Sequence, residues 1–215
     1  REAAVVVTAA VLLWFSGLTQ AASSTILVLG DSLSAGYGLP AGQGWVDLLA
    51  RRLARDAPDW QVVNASISGE TTLGGLNRLP PLLARHKPEV VIVELGANDG
   101  LRGMDLGEAR VNLERIVAAG KAIGARHVIL GMRIPPNYGP KYTERFFSMF
   151  GDVAKAGGAA YVPFLFDGFA EDRGMFQDDG IHPLPAAQSR MLDTVWKALA
   201  PLLSPAAPSR PRRAP

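Results

Sequence analysis

The sequence predicts an α/β protein, a three-layer α/β/α sandwich around a five-stranded parallel sheet. Two observations carry this. Short apolar runs of strand length alternate along the chain with longer stretches whose apolar residues recur at helical spacing, the pattern of successive βαβ units. The run at 89–95 is apolar on both faces, as a strand covered by helices on either side must be.

The elements follow in order. Residues 25–30 (Thr-Ile-Leu-Val-Leu-Gly) are an apolar run closed by a turn signal, a buried strand. Residues 44–55 place Trp45, Leu48, Leu49 and Leu53 at helical spacing, and 61–64 form a second strand. Residues 73–86 read as a helix that Pro80 and Pro81 disturb, because each ring removes a backbone donor. After the third strand at 89–95, residues 106–123 give the clearest helix, with Val111, Leu113, Ile116 and Val117 on its inner face. A strand at 127–130, a helix at 142–156, a short strand at 161–163 and a helix at 184–203 complete the fold.

The two ends differ from this pattern. Residues 3–18 are apolar and uncharged but shorter than the ~20 residues of a comfortable membrane span. Small residues follow at 19–22, as at a signal-peptide cleavage site. Residues 1–21 are therefore expected to be a cleaved signal peptide, the alternatives being an uncleaved anchor or a buried first helix. The mature protein would be periplasmic or secreted, with no stable membrane span. Residues 204–215, rich in Pro, Ala, Ser and Arg, read as a disordered tail, leaving 22–203 as the folded domain.

Composition excludes several chemistries. The chain has 215 residues and no cysteine, so a thiol nucleophile, a cysteine zinc site and disulfides are ruled out. The formal charge is +2, and the tail alone contributes Arg210, Arg212 and Arg213. The body is close to neutral and carries no broad electrostatic footprint for nucleic acid. No phosphate-binding G-x-x-x-x-G-K-[ST] loop follows the first strand.

Parallel sheets place ligand chemistry at the carboxyl ends of their strands. The polar turns there are Gly30-Asp-Ser-Leu-Ser34, Ser66-Ile-Ser-Gly-Glu70 and Gly96-Ala-Asn-Asp-Gly100, joined near the end of the chain by Asp178-Asp-Gly-Ile-His-Pro183. Each has an ordinary reading. Ser32 could be a helix N-cap, with Ser34 a rival nucleophile. Asn98 could be a turn residue and Gly69 a backbone requirement. Among the histidines, His86 suits a helix end and His127 a structural place in a strand. His182 lies beside two carboxylates in a proline-stiffened loop; one histidine with these carboxylates makes a poor zinc site. The G-x-S-x-G elbow of the α/β-hydrolases is absent.

Taken in order, G-D-S-L-S, the glycine after the second strand, G-x-N-D after the third and a late D-x-x-H resemble the four blocks of the SGNH/GDSL hydrolases. The stretches 64–69, 93–103 and 177–183 are similar to the TesA-like periplasmic acyl-CoA thioesterase/lysophospholipase/arylesterase branch. The resemblance runs from about 25 to 203 and implies a flavodoxin-like sandwich. It also implies a catalytic triad of Ser32, Asp179 and His182, with Asp179 rather than Asp178 on the imidazole. The oxyanion hole would comprise the N–H groups of Ser32 and Gly69 and the amide of Asn98. No metal or cofactor is implied.

The expected activity is hydrolysis of fatty acyl esters and thioesters through an acyl-enzyme. The partner is a small-molecule acyl ester or thioester, and the protein a monomer. Leu33, Leu73, Leu101, Met132, Ile134, Tyr138 and Ile181 are candidates for an apolar substrate groove. Residues 100–104 could be a lid or an ordinary connector. The alternatives are a carbohydrate acetylesterase, an acyltransferase and a non-catalytic binding module on the same fold.

Overall fold

A computed structural model describes residues 23–203. The expected signal segment and tail lie outside the described residues. The most apolar segments form the sheet: β1 (Ser24–Gly30), β2 (Trp60–Asn64), β3 (Val90–Glu94), β4 (Arg126–Leu130) and β5 (Ala160–Val162), all parallel, in the order β2-β1-β3-β4-β5. Every residue of β3 is buried, as expected for a central strand covered on both faces.

α2 (Trp45–Asp56) and α7 (Pro185–Leu199) pack together on one face of the sheet. α3 (Thr72–His86), α5 (Leu106–Ala122) and α6 (Pro140–Gly157) cover the other. Trp45, Leu49 and Leu53 of α2 are buried, and so are Phe146 and Phe150 of α6, whose rings meet edge to face at 5.1 Å. Truncating either phenylalanine to alanine removes core volume worth about 3–5 kcal/mol.

Three details differ from the sequence expectation. α3 runs through Pro80 and Pro81 without interruption. Both prolines are exposed, where water can satisfy the carbonyls they leave unpaired, while burial of Leu79 and Leu83 holds the helix to the sheet. Val111 is 50% exposed; the inner face of α5 runs through Leu106, Ala109, Leu113, Ile116 and Val117. Two single-turn helices, α1 (Ser32–Ala35) and α4 (Ala97–Leu101), occupy what reads in the sequence as turns.

The strand order reverses direction at β1. The chain leaves β1 toward β2 on one side and reaches β3 on the other, which opens a crevice at the carboxyl ends of β1 and β3. α1 follows β1 at this crevice, and α4 follows β3. Among the described residues, no helix is long and apolar enough to cross a membrane.

Candidate active site

α1 begins directly after β1 because Asp31 caps it. Asp31 Oδ1 accepts the Leu33 N–H at 3.0 Å. Ser32 is then the first residue of a helix, where a backbone N–H has no carbonyl one turn back to bond. The rival serine is used elsewhere: Ser34 is buried and donates to Glu94 Oε2 at 2.8 Å.

Ser32 Oγ lies 2.9 Å from His182 Nε2, and His182 Nδ1 lies 2.7 Å from Asp179 Oδ2. The 3-residue spacing lets the carboxylate fold back on its own loop: Asp179 Oδ1 also accepts the N–H groups of Ile181 at 2.9 Å and His182 at 3.0 Å. Partial burial disfavours the charged Asp179. The ring and backbone N–H donors outweigh that and hold its pKa at about 2. The loop is pinned by Gln177 N–H to His182 O at 2.8 Å, by Leu184 N–H to Met175 O at 2.7 Å and by the Phe176–Pro183 bridge. Asp179, not Asp178, is the carboxylate on the imidazole.

Gly69 and Asn98 face the same crevice. Gly69 sits at φ +81°, where a side chain would be strained, and its carbonyl accepts from Arg102 Nη2 at 2.9 Å. Asn98 Nδ2 donates to Asp31 Oδ2 and to Glu70 O, each at 3.0 Å. Glu70 is held in turn by Arg78, with Nε to Oε2 at 2.7 Å. Asp99, next to Asn98, points the other way and bonds both the N–H and the hydroxyl of Thr72, tying α4 to the start of α3.

Beside these groups opens a cavity of about 740 Å³. Leu33, Leu101, Met132, Ile134 and Ile181 line it, as the sequence predicts. Leu73 and Tyr138 do not. Leu73 is 49% exposed, since α3 buries Thr72, Gly75, Leu79 and Leu83 and the next position along points away. Tyr138 lies outside the cavity wall and donates its hydroxyl to Leu101 O at 2.6 Å. With Tyr142, which bonds Met104 O at 2.9 Å, it ties down segment 100–104. Sequence reasoning missed Tyr37, Phe164, Phe166 and Phe176, which also line the cavity. The phenylalanines follow the end of β5, where the strand-end rule applied to the other strands would have found them.

The GDSL-like Lipase/Acylhydrolase family model matches residues 28–190, a span that contains all of these groups. The chain belongs to this family. Esterase TesA of Pseudomonas aeruginosa is 53% identical over 184 residues, covering 86% of this chain and 92% of that protein. Thioesterase 1/protease 1/lysophospholipase L1 of Escherichia coli K12 is 42% identical over 188 residues, covering 86% of this chain and 87% of that protein. A crystal structure of TesA superposes with a TM-score of 0.81 at 52% identity, over 83% of this chain and 99% of that one. The five-stranded α/β/α sandwich is thus the GDSL hydrolase fold, and the chain is a hydrolase of this family.

Proposed function

We propose that Ser32, His182 and Asp179 form the catalytic triad of a lipid-type acyl hydrolase. The observation that carries this is the unbroken chain from Asp179 through His182 to Ser32, at 2.7 and 2.9 Å, opening on a large cavity with apolar walls.

Ser32 Oγ attacks the acyl carbon while its proton passes to His182 Nε2. The ionised Asp179 stabilises the imidazolium and holds its orientation. The carbonyl oxygen becomes an oxyanion that receives bonds from the N–H groups of Ser32 and Gly69 and from the Asn98 amide, whose hydrogen on Glu70 O is then shared with the oxyanion while the other stays on Asp31 Oδ2. The intermediate then expels the alcohol or thiol, which takes the proton from His182, leaving an acyl-Ser32 ester. Water repeats the cycle, with His182 as base, and releases the carboxylic acid.

The substrates are fatty acyl esters and thioesters, including aryl esters, lysophospholipids and acyl-CoA. The cavity walls from Leu33, Met132, Ile134, Phe164, Phe166 and Phe176 support an acyl chain longer than acetyl, and so do the names of the relatives. The apolar, uncharged stretch 3–18 with small residues after it supports export to the periplasm or beyond after removal of a signal peptide. All of these site groups come from one chain, so a monomer suffices.

The test is kcat/KM on p-nitrophenyl esters from acetyl to palmitoyl, with Ser32→Ala and fluorophosphonate labelling as controls. A buried methylene contributes about 0.8 kcal/mol, so four more carbons raise kcat/KM by roughly two orders of magnitude. A maximum at acetyl would instead support a carbohydrate acetylesterase. Transfer to an added alcohol in preference to water would support an acyltransferase. Folded wild-type protein that neither hydrolyses nor labels would be a binding module.

A further inference from the structure

Glu94 ends β3 and is completely buried at 0% exposure; Asp31, just past β1, is 1% exposed. The register of β1 on β3 sets Gly30 opposite Glu94, and this brings the two carboxyls together. Two carboxylates buried side by side do not both ionise. Burial pushes both upward, and the charge of Asp31 pushes Glu94 further, so one shared proton is favoured over two buried charges.

The hydrogen bonds identify its carrier. Asp31 meets donors on both oxygens, the Leu33 N–H at Oδ1 and the Asn98 amide at Oδ2, so it acts as an acceptor. Glu94 Oε2 accepts from the Ser34 hydroxyl at 2.8 Å and the Asp31 N–H at 3.3 Å. Glu94 Oε1 is buried and has no partner among the described residues. With Oε1 unpartnered and its carboxyl facing that of Asp31, Glu94 is the member of the pair that carries the proton and donates it toward Asp31. The other charged groups near the pair are His182, whose charge reaches Asp31, and Arg78, which approaches Gly30 O at 3.5 Å and is paired with Glu70.

We infer that Glu94 is a positioning residue: a buried neutral carboxylic acid whose proton keeps Asp31 an acceptor, so that Asp31 holds the nitrogen end of the Asn98 amide at the oxyanion hole. The inference rests on the role proposed above for Asn98. The two ends of a side-chain amide have nearly the same shape, and only their partners decide which way it faces. Asp31 and Glu70 O both accept, so they select the donor end. A protonated Asp31 could donate to the amide oxygen and allow the group to turn over, replacing a donor in the hole with an acceptor.

The test uses Glu94→Gln, which reproduces the neutral acid in shape and keeps a donor toward Asp31, and Glu94→Leu, which does not. Infrared difference spectra at mildly alkaline pH read the proton directly. Wild type is expected to show the carbonyl band of a protonated carboxylic acid, absent from both variants; a wild type without the band overturns the inference. For positioning, Glu94→Leu is expected to lower kcat about tenfold or more with little change in KM, and Glu94→Gln to recover most of that loss. Equal kcat in wild type and Glu94→Leu, or a Glu94→Gln no better than Glu94→Leu, overturns the positioning role. If Glu94→Leu does not fold, the alkaline limb decides. Wild-type kcat is expected to fall as the infrared band titrates away, and Glu94→Gln to lack that limb; a band that titrates with kcat constant overturns the role. A wild type that shows the band but hydrolyses no ester refutes the proposed function and leaves the protonation result standing.

Discussion

Tyr37 and His182 pack ring against ring, with centroids 4.5 Å apart and planes tilted by 41°. Tyr37 stands between Gly36 and Gly38, both at positive φ, on the turn that follows α1. Its carbonyl accepts from Gln177 Nε2 at 2.9 Å, so the segment after the serine and the segment before the histidine brace each other. Aromatic packing of this kind is worth about 0.5–1.5 kcal/mol. Tyr37→Ala should lower kcat/KM by up to about tenfold, while Tyr37→Phe, which keeps the ring, should stay near wild type. Steady-state kinetics on one ester distinguishes this from a role for the phenol hydroxyl, which would make the two variants equally poor.

Asn98→Ala should fold normally and lose roughly 10²–10³ in kcat with KM little changed, the effect of removing one oxyanion donor. Thermal unfolding checks the fold and initial rates check the chemistry. An unchanged kcat removes Asn98 from the hole.

Ala170 lines the cavity from an exposed position, so added bulk there reaches the acyl space without entering the core. Ala170→Trp should shift the ester preference toward shorter chains. With about 0.8 kcal/mol lost per displaced methylene, long-chain esters should lose tenfold or more while butyryl changes little. An unchanged chain-length profile places the acyl group in another part of the cavity.

Acid stability should be set in part by His127. It is buried on β4 against Gly120, and burial, with the nearby Lys121 charge, lowers its pKa from 6.5 to about 4. Between those values the unfolded chain binds a proton that the folded chain does not. Stability should therefore fall as pH drops through that window, by about 3 kcal/mol, and this contribution should level off below it. Urea unfolding as a function of pH checks the slope, which should be shallower in His127→Leu.

The strands and most helices were legible because burial writes directly into apolar spacing, and the polar turns at the strand ends marked where Ser32, Gly69, Asn98 and His182 would meet. Other contacts were hidden for physical reasons. Leu73 and Tyr138 lie near the right turns in sequence, but helix rotation and a hydroxyl bond to Leu101 O keep them off the cavity wall. Tyr37 reaches His182 only through a turn built on two glycines with positive φ, which no apolar pattern encodes. Glu94 reads as one polar residue in an apolar strand; its meaning depends on the β1–β3 register, which the sequence does not display.

The Ser32–His182 bond joins positions 150 residues apart in the chain. The proposed nucleophile emerges early in synthesis, but its proposed base arrives only with the loop between β5 and α7, after every strand of the sheet. Gln188 of α7 then receives the Trp45 N–H of α2 at 3.0 Å and donates to Pro183 O at 3.2 Å, connecting the last helix to the first half of the molecule beside the histidine. On the proposed triad, a nascent or partly folded chain therefore holds its nucleophile without its base, and the full constellation assembles only when the last helix has docked.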